Sequence, residues 1–126
     1  MNLGLGKPYL KVKVNGKPLK MELDTGSTLS CIIQSSFDHL ALPNCKLEPS
    51  NERLCVSYGQ FVSSVQKTTV VVEFKGSKYR LPLCVVGGKF PTLLGRDWIR
   101  VLMGEDWLSR MVDMAVNHVK SKHDFC

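Results

Sequence analysis

The stretch Leu23-Asp24-Thr25-Gly26-Ser27 decides the fold of this chain. Two runs of alternating apolar and charged residues precede Asp24, Leu10 to Val14 and Leu19 to Leu23, with Asn15-Gly16 between them. Such alternation predicts two strands, and Asn-Gly predicts a tight hairpin turn. We therefore expect Asp24 at the end of the second strand, where Gly26 lets the backbone approach the carboxylate closely. Since Asp, Thr and Gly are also good turn formers, this motif alone is equally compatible with a surface turn.

A second motif lies far downstream, at Phe90-Pro91-Thr92-Leu93-Leu94-Gly95-Arg96-Asp97-Trp98-Ile99. Between the two motifs, the sequence predicts a hairpin that turns around Tyr58-Gly59. In this order, the motifs resemble those of the retroviral-type aspartic proteases (retropepsins) over about Pro8 to Leu102. The exact residues of the two motifs, Met-Glu-Leu-Asp-Thr-Gly-Ser and Leu-Leu-Gly-Arg-Asp-Trp, are most similar to those in the proteases of gypsy-type LTR retrotransposons.

The rest of the chain predicts mostly strands. β-Branched and apolar runs bounded by glycine favour strand over helix. Further strands are expected at 29–33, 53–58, 60–66, 68–74 and 78–86. We also expect a serine-capped helical turn at 35–40 and a loop at 44–51. Two helices are expected near the end of the chain, at 96–103 and 105–121. The fold class is therefore all-β with a helical C-terminal tail, and the resemblance implies a retropepsin-like closed β-barrel or sheet protomer with a flap hairpin and one short helix after the second motif. Residues 1–7 form an N-terminal tail, 8–103 the protease-like domain and 104–126 a helical extension or linker.

The composition is that of one globular domain. The chain has 126 residues, of which 44% are hydrophobic and 22% charged, enough for one core and too few for two domains. No apolar run reaches the length of a membrane span, and the first residues lack the features of a signal peptide. We therefore expect an intracellular protein without a membrane partner, in the cytoplasm or within a retroelement particle.

The cysteines and histidines argue against other chemistries. Five cysteines, an odd number without a Cys-x-x-Cys pair, disfavour a disulfide framework and a zinc site. No cysteine lies in a nucleophile context, and the three histidines are scattered. We expect no metal and no cofactor.

The net charge of +6 is compatible with binding to nucleic acid, which is itself negatively charged. The lysines of the first hairpin, however, alternate along the strands as on a solvated sheet face. No interleaving of aromatic and basic residues predicts a stacking platform. We do not expect specific nucleic-acid binding.

Hydrolysis of a peptide bond by carboxylates needs two of them, one to accept a proton from water and one to donate to the carbonyl oxygen. This chain contains one Asp-Thr-Gly, and it is too short for a duplicated lobe. A two-fold symmetric homodimer, with Asp24 from each protomer, would complete the site.

The resemblance implies roles for the other motif residues. Thr25 is expected to bond to the partner's loop, Gly26 to bring backbone near the acids, and Ser27 to donate its hydroxyl proton to the Asp24 carboxylate. Leu93 is expected to line a substrate pocket, while Leu94 and Gly95 support the acid loop. The flap is expected to comprise Val56, Ser57, Tyr58, Gly59, Gln60 and Phe61, closing over the substrate.

One position departs from the retroviral pattern. Many retroviral proteases have an acid where this chain has Thr28, and that acid pairs with the arginine that follows the second motif. Arg96 must therefore find another partner, either Asp97 of the other subunit or backbone carbonyls.

The leading hypothesis is a homodimeric aspartic endopeptidase that processes a polyprotein. The alternative is a catalytically silent retropepsin-like domain retained for dimerisation or peptide binding, and the two intact motifs favour the enzyme. The tail helix has an apolar stripe, and we expect it to pack on the domain and strengthen the dimer modestly, the alternative being a linker. That stripe comprises Leu108, Met111, Val112, Ala115 and Val119.

Overall fold

A computed structural model describes residues 8–42, 45–52, 54–55, 61–62 and 65–104, with only the backbone for 54–55 and 61–62. The strands are β1 Tyr9–Val14, β2 Lys17–Leu23, β3 Cys31–Ile33, β4 Glu48–Ser50, β5 Leu54–Cys55, β6 Phe61–Val62, β7 Val65–Phe74, β8 Ser77–Val86 and β9 Leu93–Leu94. The helices are α1 Gln34–Leu40 and α2 Arg96–Met103. The predicted all-β class is confirmed, and the short helix after the second motif is present.

Seven strands form one sheet in the order β1-β2-β9-β3-β8-β7-β4, and an additional pairing of β1 with β7 closes it into a barrel. Two tight turns join β1 to β2 and β7 to β8, and the sequence predicts the first of them. Asn15 and Gly16 have φ of 48° and 85°, and Lys75 and Gly76 have φ of 51° and 82°. Positive φ at both central residues gives the turn the right-handed twist of the strands that it joins.

The main core lies inside this barrel and includes Trp98, Ile99 and Met103 of α2. Trp98 and Ile99 are fully buried, and the Trp98 Nε1–H donates to the carbonyl oxygen of Pro82 at 2.6 Å. Burial of each such large side chain stabilises the fold by about 1.5–3 kcal/mol. Because these contacts hold it to the sheet, α2 is a rigid support for the residues that precede it.

Two predictions in the first half of the chain were wrong. The α1 helix has Ile33, not a serine, at its N-cap, because β3 runs directly into the helix and places Ser35 inside its first turn. The predicted loop at 44–51 contains β4, which pairs with β7 at the edge of the sheet. Pro49 is tolerated there since an edge strand can lack a backbone donor.

The predicted flap is described only at its base. Cys55 pairs with Phe61 and Leu54 with Val62 in antiparallel orientation, so the chain folds back on itself in this region, as predicted. The remaining flap residues, Val56, Ser57, Tyr58, Gly59 and Gln60, lie outside the described residues. So does the tail helix predicted at 105–121.

The lysines of the first hairpin lie on its exposed face, as the alternation predicted. Lys11 and Lys20 are directly opposite each other on β1 and β2, and both side chains are exposed. Within the ranges described above, no helix is long and apolar enough to cross a membrane.

Candidate active site

Asp24 lies immediately after the last residue of β2, and its side chain is only 3% exposed. Its backbone N–H donates to the carbonyl oxygen of Leu94 at 3.0 Å, which ties the residue to the second motif. The Gly26 N–H donates to Asp24 Oδ1 at 3.0 Å. A backbone donor of this kind fixes the orientation of the carboxylate.

The second motif lies beside the first because β9 runs parallel to β2. Leu23 is opposite Leu94, and Glu22 is opposite Leu93. Side chains opposite each other on neighbouring strands share a face, so Leu93 lies on the same face as Glu22 and, two residues on, Asp24. The structure therefore brings Leu93 to the side of the sheet that carries the acid.

Gly95 is in close contact with the loop that follows Asp24. A Cβ atom at this position would lie 2.7 Å from the carbonyl carbon and oxygen of Leu29 and 2.8 Å from the carbonyl oxygen of Ser27. These are backbone atoms, which cannot rotate away as a side chain can. Only glycine fits here without moving the loop.

The first turn of α2 completes the contact between the motifs. The Arg96 N–H donates to Ser27 O at 2.9 Å, and the Asp97 N–H donates to Thr28 O at 3.2 Å. The first N–H groups of a helix have no acceptor within the helix. Here the loop after Asp24 supplies those acceptors.

Ser30 and Asp97 form a network that the sequence reasoning missed. Asp97 Oδ1 accepts the Ser30 N–H at 3.0 Å and the Ser30 O–H at 2.8 Å, while Ser30 Oγ accepts the Gly95 N–H at 2.8 Å. Asp97 lies in the first turn of α2, where its Oδ1 also accepts the Trp98 N–H at 2.8 Å. Burial raises the pKa of the Asp97 carboxyl, and the hydrogen bonds from Ser30 and Trp98 oppose that rise. The available signal was one serine inside the apolar run 29–33.

The structure corrects the expectation for Ser27. Its hydroxyl, which is fully buried, donates to the carbonyl oxygen of Leu29 at 2.7 Å. A hydroxyl has one proton, so this bond removes the donor that was expected for the Asp24 carboxylate. The backbone of Gly26, not the side chain of Ser27, donates to Asp24 Oδ1.

Among the described residues, the side chains of Thr25, Thr28 and Arg96 make no hydrogen bond, although the backbones of Thr28 and Arg96 join the two motifs. Thr25 and Arg96 are half-buried, and Thr28 is exposed. Across the described part of this chain, the Arg96 guanidinium makes no hydrogen bond or ion pair. The expected bonds of Thr25 and Arg96 to a second subunit stay predictions.

A second apolar cluster lies on the acid's side of the sheet, apart from the main core. It contains Leu93 and five other buried residues, Cys31, Val65, Cys84, Val86 and Phe90. Burial raises the pKa of the Cys31 thiol to about 12 and that of Cys84 to about 11. Both thiols are therefore protonated at neutral pH, which disfavours either as a nucleophile.

The acid at the end of β2 is thus backed by the second motif, through β9 and the start of α2. A family model described as retroviral aspartyl protease matches residues 6–105. The chain belongs to this family, which confirms the predicted likeness to retropepsins; the likeness to gypsy-type elements stays a prediction.

A comparison with solved structures supports the fold. The chain is similar to the EIAV protease complexed with the inhibitor HBY-793, with a TM-score of 0.67 and 24% sequence identity. The similarity covers 83% of this chain and 95% of that one. No curated protein matches the chain.

Proposed function

We propose that this chain is an aspartic endopeptidase that acts as a homodimer, with Asp24 of each protomer supplying one of the two carboxylates. The observation that carries the proposal is the setting of Asp24. This carboxyl is buried at the end of a barrel strand, with Oδ1 held by the Gly26 N–H and its backbone held by Leu94. Membership of the retroviral aspartyl protease family supports the same reading.

The dimer is proposed because one protomer has half the chemistry. Two carboxyls placed a few ångströms apart cannot both ionise cheaply, so they share one proton, and their titration belongs to the pair. The ionised carboxyl then accepts a proton from the attacking water, and the protonated one donates to the carbonyl oxygen of the scissile bond. No metal or cofactor is needed for these steps.

The neighbouring residues have supporting roles in this proposal. Thr25, half-buried in one protomer, bonds to the loop of the other and keeps the carboxyls aligned. Leu93, which is fully buried within one protomer, lines a pocket for an apolar substrate side chain, and the apolar cluster around it backs that pocket. Leu94 and Gly95 hold the acid loop from behind, and the segment from Val56 to Phe61 closes over the peptide and excludes water. The proposed substrate is a polyprotein.

Peptide hydrolysis tests the proposal against the alternative of a silent dimerisation or peptide-binding domain. The purified chain is incubated with a peptide library at mildly acidic pH, with and without a statine-type transition-state mimic. We expect cleavage that the mimic inhibits and that Asp24→Asn reduces below about a thousandth, since an amide cannot act as a general base.

Asp38→Asn is the matched control. Asp38 is an exposed carboxylate on α1 whose visible contact is the Gln34 side chain, so its removal leaves the site intact. Cleavage by Asp24→Asn at the wild-type rate would show that the activity comes from elsewhere. Peptide binding without cleavage would favour the silent domain.

A further inference from the structure

We propose that Asp97 and Ser30 are positioning residues for Asp24: their hydrogen bonds hold the far end of the acid loop against α2, so that the carboxylate keeps its place. Neither residue is proposed to touch the substrate. The prediction for catalysis rests on the proposed function, whereas the prediction for loop order does not.

The network joins three parts of the chain through two side chains. Asp97 Oδ1 accepts from the N–H and the O–H of Ser30 and from the N–H of Trp98, at 2.8–3.0 Å. The Ser30 hydroxyl also accepts the N–H of Gly95 at 2.8 Å. Hydrogen bonds to a carboxylate are roughly twice as strong as those between neutral groups. Among the residues described, no buried side-chain nitrogen or oxygen lacks a partner.

These bonds complete a series that runs along the whole acid loop. The loop starts at Asp24, whose N–H is held by Leu94 O, and its middle is held by the bonds that Arg96 and Asp97 donate to Ser27 O and Thr28 O. Ser30 is the last residue before β3. The Ser30 carbonyl oxygen accepts the Cys84 N–H at 3.1 Å, so without the Asp97 side chain this end of the loop would stay tied to β8 but would lose both bonds that Ser30 donates to α2.

If the Ser30–Asp97 bonds are lost, we expect the acid loop to move and α2 to stay in place. Trp98 is fully buried in the main core and donates from its ring to Pro82 O, so α2 is anchored independently of the network. Ser30 is also fully buried, and loss of its acceptor leaves an N–H and an O–H without a partner. Relief comes from moving the loop toward other acceptors, and this displaces Asp24.

Four variants separate positioning from plain stability. Asp97→Ala and Ser30→Ala break the network, whereas Asp97→Asn keeps an oxygen that can accept the same three bonds. Ile99→Val is the matched control, because Ile99 is a core residue of the same helix that is absent from the network. Its loss of one methylene removes packing contacts in the core and none of the network's hydrogen bonds.

We expect Asp97→Ala and Ser30→Ala to lower kcat by about ten- to a hundredfold with little change in KM, because small displacements of catalytic groups are costly. Asp97→Asn should recover most of this loss. Ile99→Val should lower the melting temperature and leave kcat unchanged. The double variant Asp97→Ala with Ser30→Ala should be little worse than either single one, since both break one unit.

Amide hydrogen exchange in the same proteins gives a readout that does not need activity. The N–H groups of Gly26, Ser27 and Gly95 should exchange faster in Asp97→Ala and Ser30→Ala than in Asp97→Asn or Ile99→Val. If wild type cleaves no peptide, the proposed function fails and the exchange rates still decide whether the pair orders the loop. If Asp97→Ala does not fold, the comparison of Ser30→Ala with Asp97→Asn still tests whether the network orders the loop.

The positioning role is overturned if, across all variants, faster loop exchange and lower kcat simply accompany a lower melting temperature. Ile99→Val would then show the same changes as Asp97→Ala and Ser30→Ala. It is also overturned if Asp97→Asn is as impaired as Asp97→Ala while Ser30→Ala is normal.

Discussion

Gly95→Ala is the substitution that most directly tests the contact between the two motifs. Gly95 has φ −90° and ψ −174°, an extended conformation that alanine adopts freely. Backbone strain is therefore not the issue, and any effect comes from the added methyl group. That group would meet the carbonyl carbon and oxygen of Leu29 at 2.7 Å and the carbonyl oxygen of Ser27 at 2.8 Å.

The magnitude follows from those distances. Carbon atoms in contact are ordinarily about 3.5–4.0 Å apart, so the loop must move by roughly 0.7 Å or more to relieve the clash. Overpacking of this kind typically costs about 1–3 kcal/mol. The movement would also stretch the 2.8 Å bond from the Gly95 N–H to Ser30. Since the displaced loop carries Asp24, we expect kcat to fall by about a hundredfold.

The assay combines thermal unfolding with steady-state cleavage of one peptide. Each kcal/mol should lower the melting temperature by about 4–8 °C for a domain of this size. Gly87→Ala is the matched control, because a Cβ atom there meets nothing within 4 Å. A Gly95→Ala protein with the melting temperature and kcat of wild type would refute the reasoning, since the loop would then accept the methyl group without moving the acid.

Three further predictions concern assembly, titration and Ser27. Activity per protomer should fall on dilution below the dimer dissociation constant, and a constant rate where sedimentation detects only monomer would contradict the shared site. Because burial raises the pKa of Asp97, the folded state binds its proton more tightly than the unfolded state, so this group's contribution to stability is lost as pH rises through the folded pKa. The stability of Asp97→Asn relative to wild type, from urea unfolding, should therefore increase from about pH 3 to neutral pH; a difference independent of pH would show that the shift is absent. Ser27→Ala should lower stability by about 1 kcal/mol, since Leu29 O loses its donor, without moving the acid limb of the pH–rate profile. A shifted limb would show that the hydroxyl reaches the carboxylate after all.

Local patterns in the sequence were sufficient for much of the fold. Asn15-Gly16 forms its turn because asparagine and glycine both tolerate the positive φ that the turn needs. The alternation before Asp24 predicts the burial of Met21 and Leu23, though not that of Glu22 between them, and the apolar spacing after Gly95 predicts α2. The two motifs were recognisable together because each is a short, contiguous run.

The partners of side chains were decided by the tertiary structure. Ser30 and Asp97 are 67 residues apart in the chain, and nothing near either one predicts that the two groups bond. A serine at position 27 could donate to the Asp24 carboxylate or to a backbone carbonyl oxygen. The path of the loop places the Leu29 carbonyl oxygen next to the Ser27 hydroxyl, so the bond forms there. β4 likewise forms because β7 offers it an edge, not because Glu48-Pro49-Ser50 favours a strand. Secondary-structure propensity depends on a few neighbouring residues. A hydrogen bond between distant segments depends on where those segments meet, and the packing of the barrel determines where they meet.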